Sequence, residues 1–159
     1  MALQQKLTPQ QALQKLRHYC AYQERSHAEV TEKLYNFGLR KTDVAILLSQ
    51  LIEDDYVNEE RFATQFAGGK FRIKQWGKVK IEYELRQKKV SPRNIKKALA
   101  SIDEEMYTKT LHELTIKKWR SLKNEQYLNR MAKTTNYMLQ KGFERNEIIT
   151  AINSLRNQA

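Results

Sequence analysis

Cysteine is almost missing from this chain of 159 residues. Cys20 stands alone, which rules out an intrachain disulfide and leaves a thiolate zinc cluster unsupported. Proline occurs twice, at Pro9 and Pro92, and glycine five times. Gly68-Gly69-Lys70 lacks the spacing and the hydroxyl of a phosphate loop. His18, His27 and His112 lie apart, and none stands at metal-ligand spacing from Cys20. Asp54-Asp55 adjoins Tyr56-Val57 at the end of an apolar-periodic segment and reads as a solvated turn rather than a metal site. No run approaches the roughly 20 apolar residues needed to span a bilayer. The opening MALQQKLTPQQ has no apolar signal core. These absences predict a cytoplasmic protein without catalytic residues, cofactor, metal or membrane contact.

Acidic residues are also scarce, 18 against 29 lysines and arginines, for a formal charge of +11. A charge of that size on a small chain points to a polyanionic partner, nucleic acid or an acidic protein–nucleic-acid assembly. Most of it is focused. From Lys70 to Lys97 eleven cations face only Glu82 and Glu84. Lys70, Arg72, Lys74, Lys78, Lys80, Arg86, Lys88 and Lys89 are the candidates for a shared basic face. Such contacts position a phosphate backbone and carry little base information. Trp76, within Gln75-Trp76-Gly77-Lys78, either stacks on a base or partner side chain or fills a seam beside a helix joint.

One pattern is written three times. It runs Val30, Leu34, Gly38-Leu39, Val44, Leu48, Leu51, then Ile81, Leu85, Lys89-Val90, Ile95, Leu99, Ile102, then Thr134, Met138, Gly142-Phe143, Ile148, Ile152, Leu155. Corresponding positions are 51 and then 53 residues apart. The spacing within each copy is helical. Short helices with one apolar stripe must pack on one another to be stable. The reading is an all-α fold of three tandem three-helix repeats, forming an elongated, curved array, with repeats at 1–57, 58–103 (the strongly basic one) and 104–159. Helices are predicted near 9–24, 27–37, 41–54, 59–74, 77–88, 92–102, 104–120, 124–141 and 145–156.

Helix starts are marked by chemistry. Thr8-Pro9-Gln10-Gln11 and Ser26-His27-Ala28-Glu29 read as capping boxes, and Ser91-Pro92, Asn58 and Asp103 as further caps. Glu59-Glu60 and Glu104-Glu105 place acids over the first-turn N–H groups. Gly38 and Gly142 suit left-handed helix ends, and Lys89 takes the same place in the second copy.

The joined order of several signals resembles the RecX family, regulators of the bacterial recombinase RecA. They are Arg25-Ser26, Glu29, Leu34 and Gly38, then Tyr56-Val57-Asn58-Glu59-Glu60-Arg61-Phe62-Ala63, then Arg72 to Lys78 followed by Ile81 and Glu84-Leu85-Arg86. Lys89 departs from the family's usual glycine. The resemblance implies a monomeric all-helical protein that binds the RecA–single-stranded-DNA filament, opposes its extension and restrains ATP hydrolysis, strand exchange and coprotease activity, with no enzymatic step of its own. The alternative is a stand-alone, sequence-nonspecific nucleic-acid-binding helical protein, which uses the same charge and needs no recombinase. An incidentally charged scaffold is the third reading.

Overall fold

The computed structural model describes residues 6–156. Among them are nine α-helices and no strand: α1 (Pro9–Tyr22), α2 (His27–Asn36), α3 (Lys41–Glu53), α4 (Glu59–Gly69), α5 (Lys78–Gln87), α6 (Pro92–Ala100), α7 (Glu104–Ser121), α8 (Tyr127–Gln140) and α9 (Arg145–Arg156). A π-helical turn, Lys70–Lys74, continues α4. Every predicted helix is present, with ends shifted by at most a few residues, apart from the change of winding at Lys70.

Most of the repeated stripe is buried, and Leu48, Leu99 and Leu155 are half-buried. Val30, Leu34, Val44 and Leu51 are sealed from water, and so are Ile81, Leu85, Ile95 and Ile102, then Thr134, Met138, Ile148 and Ile152. Burying an aliphatic side chain of this size stabilises by about 1.5–3 kcal/mol, which lets helices of 9 to 18 residues persist. The described residues form two compact units. One gathers those up to Phe66 with Leu85–Lys97, and the other Ala67–Glu84 with those from Ala98 onward. Residues of the expected middle repeat therefore divide between both units. In the first unit α1 supplies Ala12, Leu16 and Cys20 to a core shared with α2 and α3. Burial pushes the Cys20 thiol up to about 11, as befits a small apolar filler rather than a nucleophile. In the second unit Phe71, Tyr107 and Phe143 stack in sequence, with centroids 5.7 and 5.4 Å apart.

Thr8 forms the full capping box, its hydroxyl accepting from Gln11 N and its own N–H donating to Gln11 Oε1. Asn58, Ser91 and Asp103 accept from Arg61 N, Asn94 N and Met106 N. Ser26 forms only half of its predicted box. Its hydroxyl accepts from Glu29 N at 3.1 Å, but the Glu29 carboxylate faces Lys88 Nζ at 3.4 Å instead of turning back to its own helix.

Gly38 and Gly142 take φ values of 81° and 96°, and Lys89 takes 61°. The two later joints share one hydrogen-bond pattern. Lys89 N donates to Arg86 O and Val90 N to Leu85 O, as Gly142 N does to Leu139 O and Phe143 N to Met138 O. Lys89 carries the left-handed cost of about 1–2 kcal/mol to keep that turn. A fourth left-handed end, Asp55 at φ 63°, closes α3 and is fixed by Arg61, whose Nη1 lies 3.2 Å from the Asp55 carboxylate.

Glu59 does not serve its own helix, as the sequence suggested. Its Oε1 accepts from Ser91 N at 2.8 Å and from Asn94 Nδ2 at 2.9 Å, tying the start of α6 to the start of α4. Its other oxygen lies 3.5 Å from His27 Nδ1. Burial opposes ionisation of Glu59, but the Ser91 and Asn94 donors, with His27, outweigh it and hold the carboxyl below its ordinary value. A depressed folded-state pKa contributes stability above the ordinary carboxylate range and loses it as pH falls through the depressed value. Glu59→Gln is expected to lower unfolding free energy near neutral pH by about 1–3 kcal/mol. Urea titrations across pH should show that gap between wild type and variant closing toward strongly acidic pH.

Candidate functional site

The basic site begins where α4 runs out of side chains. At Gly68 a Cβ would come within 2.7 Å of Arg72 Nη1, so the guanidinium lies along the bare backbone. The π-helical turn then carries Lys70, Arg72 and Lys74 and ends at Gln75, a left-handed residue with φ 55°. Trp76 and Gly77 follow. Gly77 N donates to Lys141 O at 2.8 Å and Val79 N to Gly142 O at 2.9 Å. A Cβ on Gly77 would lie 2.3 Å from the Gly142 carbonyl carbon, so only glycine allows this backbone approach.

That crossing assembles a cluster. Lys70 Nζ and Lys80 Nζ stand 4.9 and 4.4 Å from the Trp76 ring centroid. Each such cation–π contact is worth about 0.5–1 kcal/mol at an exposed site. Lys141 reaches in from the joint after α8, its Nζ donating to Lys74 O at 3.2 Å. Burial, reinforced by the charge of Lys80, holds the Lys141 ammonium below its ordinary pKa. Trp76 is half-buried between lysines rather than sealed in a core seam. Arg72 and Lys74 are exposed on the π-helical turn.

The other predicted residues are placed differently. Lys78 turns inward, with Nζ 2.5 Å from Glu104 Oε1 and 4.6 Å from the Tyr107 ring centroid. Lys88 lies 3.4 Å from Glu29 and 5.7 Å from the Phe66 ring centroid. Arg86 and Lys89 are exposed and belong with Lys88 to the first compact unit. Lys70, Arg72, Lys74, Trp76, Lys78 and Lys80 belong to the second.

Two residues that shape the site carry no charge-run signal. Lys141 lies far outside the 70–97 stretch, and only its place before the repeated joint glycine marks it. Tyr107 is buried, and its hydroxyl accepts from Lys78 N at 3.0 Å while donating to Glu144 Oε2 at 2.7 Å. Burial, together with the bond to Glu144, pushes its phenol far above the ordinary value, so it stays a donor at any working pH. It fixes the first N–H of α5 against the start of α9. The cluster as a whole offers ammonium groups on flexible stems around one indole. Lysines hold phosphate as point charges and do not read bases bidentately. Among the described residues no three His, Cys, Asp or Glu side chains gather to hold a metal, and no helix is long and apolar enough to cross a membrane.

Residues 58–99 match the family model described as the RecX second three-helix domain, and residues 104–152 match the RecX third three-helix domain. The chain is 26% identical over 140 residues to the regulatory protein RecX of Bacillus cytotoxicus, covering 88% of this chain and 52% of that protein. It is 26% identical over 153 residues to the regulatory protein RecX of Oceanobacillus iheyensis, covering 96% of this chain and 56% of that protein. The chain thus spans about half the length of the curated relatives it matches. The crystal structure of RecX from Lactobacillus salivarius superposes with a TM-score of 0.85 at 22% identity, over 93% of this chain and 96% of that one. A second crystal structure, of a regulatory protein RecX, gives 0.82 at 21% identity, over 91% and 71%. The two structures share the fold.

Gly77, at the crossing, and Gly69, away from it, give contrasting tests. Gly77→Ala must push apart a pair of hydrogen-bonded backbones and is expected to cost about 3 kcal/mol or more in denaturant titration, with a shifted Trp76 emission. Gly69 has nothing within 4 Å of an added Cβ. Gly69→Ala, inside a helix, is expected to be neutral or to stabilise by up to about 1 kcal/mol in the same titration.

Proposed function

The chain belongs to the RecX family, and we propose that it regulates a RecA-type recombinase by binding its filament on single-stranded DNA. In this reading it slows filament extension and so restrains ATP hydrolysis, strand exchange and coprotease activity, in the cytoplasm. The observation that supports it best is the pair Lys70 and Lys80 over the Trp76 ring, with the Lys141 ammonium near enough to Lys80 to feel its charge. Lys80 and Lys141 repel each other in the free protein, and a bound anion relieves that repulsion. A filament coated with phosphate and acidic side chains supplies that anion over a long surface. Arg72 and Lys74 extend the cationic side along the π-helical turn, and Arg86, Lys88 and Lys89 provide a second group. Lys88 then exchanges Glu29 for its external partner. No covalent step is required. A protein that binds one filament state better than another shifts the balance between them by its differential affinity.

ATP turnover by recombinase on single-stranded DNA, followed over a titration with the protein, tests this. Turnover should fall at substoichiometric ratios of protein to recombinase. Lys70→Gln, Lys80→Gln and Lys141→Gln should each weaken the effect, and the triple variant by about tenfold or more. The salt dependence of binding should flatten by about 0.7 per lost phosphate contact. Lys109→Gln, on the exposed side of α7, should leave both unchanged. Inhibition only when the protein coats the DNA, with the same affinity for DNA alone, would favour the stand-alone nucleic-acid binder and sink the filament reading.

A further inference from the structure

A second cationic surface lies at the other end of α8 from Lys141. The helix has 14 residues, so roughly 20 Å separates the two places. Between Lys117 and Lys133 six cations stand against Glu125 alone, and Lys133 Nζ takes that acid at 2.6 Å. The filament reading uses none of these residues.

Here two arginines are seated on rings. Arg130 Cζ stands 4.0 Å from the Trp119 ring centroid, and Arg156 Cζ 4.5 Å from that of Tyr127. The two rings meet edge to face with centroids 6.2 Å apart. The ends of α7 and α9 and the start of α8 thus bring two guanidinium groups to one aromatic pair, all inside the second compact unit. Trp119 is buried, and its carbonyl accepts from Arg130 Nε at 2.9 Å. That bond fixes the Arg130 stem and leaves its terminal N–H groups for another partner. Arg156 is exposed, with Tyr127 40% exposed beneath it. Neither arginine forms an ion pair with a carboxylate among the described residues.

A guanidinium held over a ring has given up rotamer freedom before any ligand arrives. Its edge presents N–H donors that match phosphate oxygens, and its outer face can stack a base. A carboxylate would use the edges alone. A duplex turns its base faces inward, so a single strand is the ligand that meets both edge and plane.

We propose that Arg130 and Arg156, seated on Trp119 and Tyr127, form a binding site for single-stranded nucleic acid. The strand's phosphates take the guanidinium edges, and a base lies on the outer face of Arg156 beside Tyr127. Lys117 and Arg120, exposed near the end of α7, extend the field along the backbone. No base edge is read, so the site accepts any sequence. It stands apart from Lys70, Lys80 and Lys141 and needs no recombinase.

Fluorescence anisotropy of a fluorescein-labelled oligothymidylate of about 15 nucleotides, titrated with the full chain in the absence of recombinase, tests it. At low salt the dissociation constant should be on the order of 1–100 µM. Arg156→Gln should weaken binding about threefold or more and flatten its salt dependence by about 0.7, and adding Arg130→Gln should bring the loss to about tenfold or more. Arg156→Lys, which keeps the charge and loses the plane, should weaken binding nearly as much as Arg156→Gln. Both Arg156 variants should melt as wild type does, since that side chain is exposed. An abasic strand of the same length should compete about fivefold worse than oligothymidylate. The triple variant at Lys70, Lys80 and Lys141 should still bind the oligonucleotide through the two arginines, which separates this site from the filament reading. Binding indifferent to the arginines, full binding by Arg156→Lys, equal competition by the abasic strand, or loss of all binding in the triple variant would overturn the proposal. Arginine variants that bind the oligonucleotide as wild type does yet no longer restrain recombinase would give the face to an acidic protein surface and equally end it.

Discussion

Two hydrogen bonds, from Gly77 N to Lys141 O and from Val79 N to Gly142 O, set the geometry on which the basic cluster depends. They lay the start of α5 directly across the joint between α8 and α9. The contact needs glycine on both crossing segments, for different reasons. Gly77 must have no Cβ because the Gly142 carbonyl occupies that space, and Gly142 must take a positive φ with the Lys80 backbone beside it. The first unit uses the same device at its own joint. Leu7 N donates to Phe37 O, and Lys6 packs where a Cβ on Gly38 would stand. The joint glycine therefore recurs for two coincident reasons, a left-handed helix end and a chain crossing over it. At Lys89, which is exposed, only the first applies, and a lysine can bear it.

The stripe, the caps and the joints were legible because each is local. Helical period, a capping hydroxyl and a left-handed glycine act within a few residues, and the chain states them directly. What was not legible is which distant side chain each charge meets. Glu29 reads as half of a capping box until Lys88 is brought to it. Glu59 reads as a first-turn acid until the start of α6 arrives beside it with two donors. Lys78 counts toward a cationic stretch in sequence, yet Glu104 and the Tyr107 ring claim it. A run of eleven cations predicts a strong field but not its division. Lys78, Lys88 and Lys97 of that run face carboxylates within the protein, and a lysine from outside the run joins the cluster.

Lysine rather than arginine at this cluster follows from what it is proposed to hold. A guanidinium presents a planar fork that rewards one fixed geometry, whereas an ammonium on four methylenes tolerates many. A regulator acting on a filament must accept every sequence the filament covers, so a reading of base edges would work against it. In the proposed complex Trp76 would add apolar area without adding sequence preference, because every base has a π-face.

The crowding of Lys80 and Lys141 also links binding to stability. Burial and mutual repulsion disfavour the charged form of Lys141, so its folded-state pKa lies below the ordinary lysine value. The sign is the reverse of that for a paired lysine. The penalty is present at neutral pH and is relieved as pH rises through the depressed value toward the ordinary one. A bound anion removes the same penalty at neutral pH, and anything that binds only the folded state stabilises it by mass action. A polyanion bound there, as proposed, would return the free energy lost in bringing these ammonium groups together. A solvated array of the same lysines, spread apart, would carry neither the cost nor the gain. Replacing Lys141 by a neutral residue should thus raise the stability of the free protein while lowering its hold on the anion, two effects that a purely structural lysine would not show together.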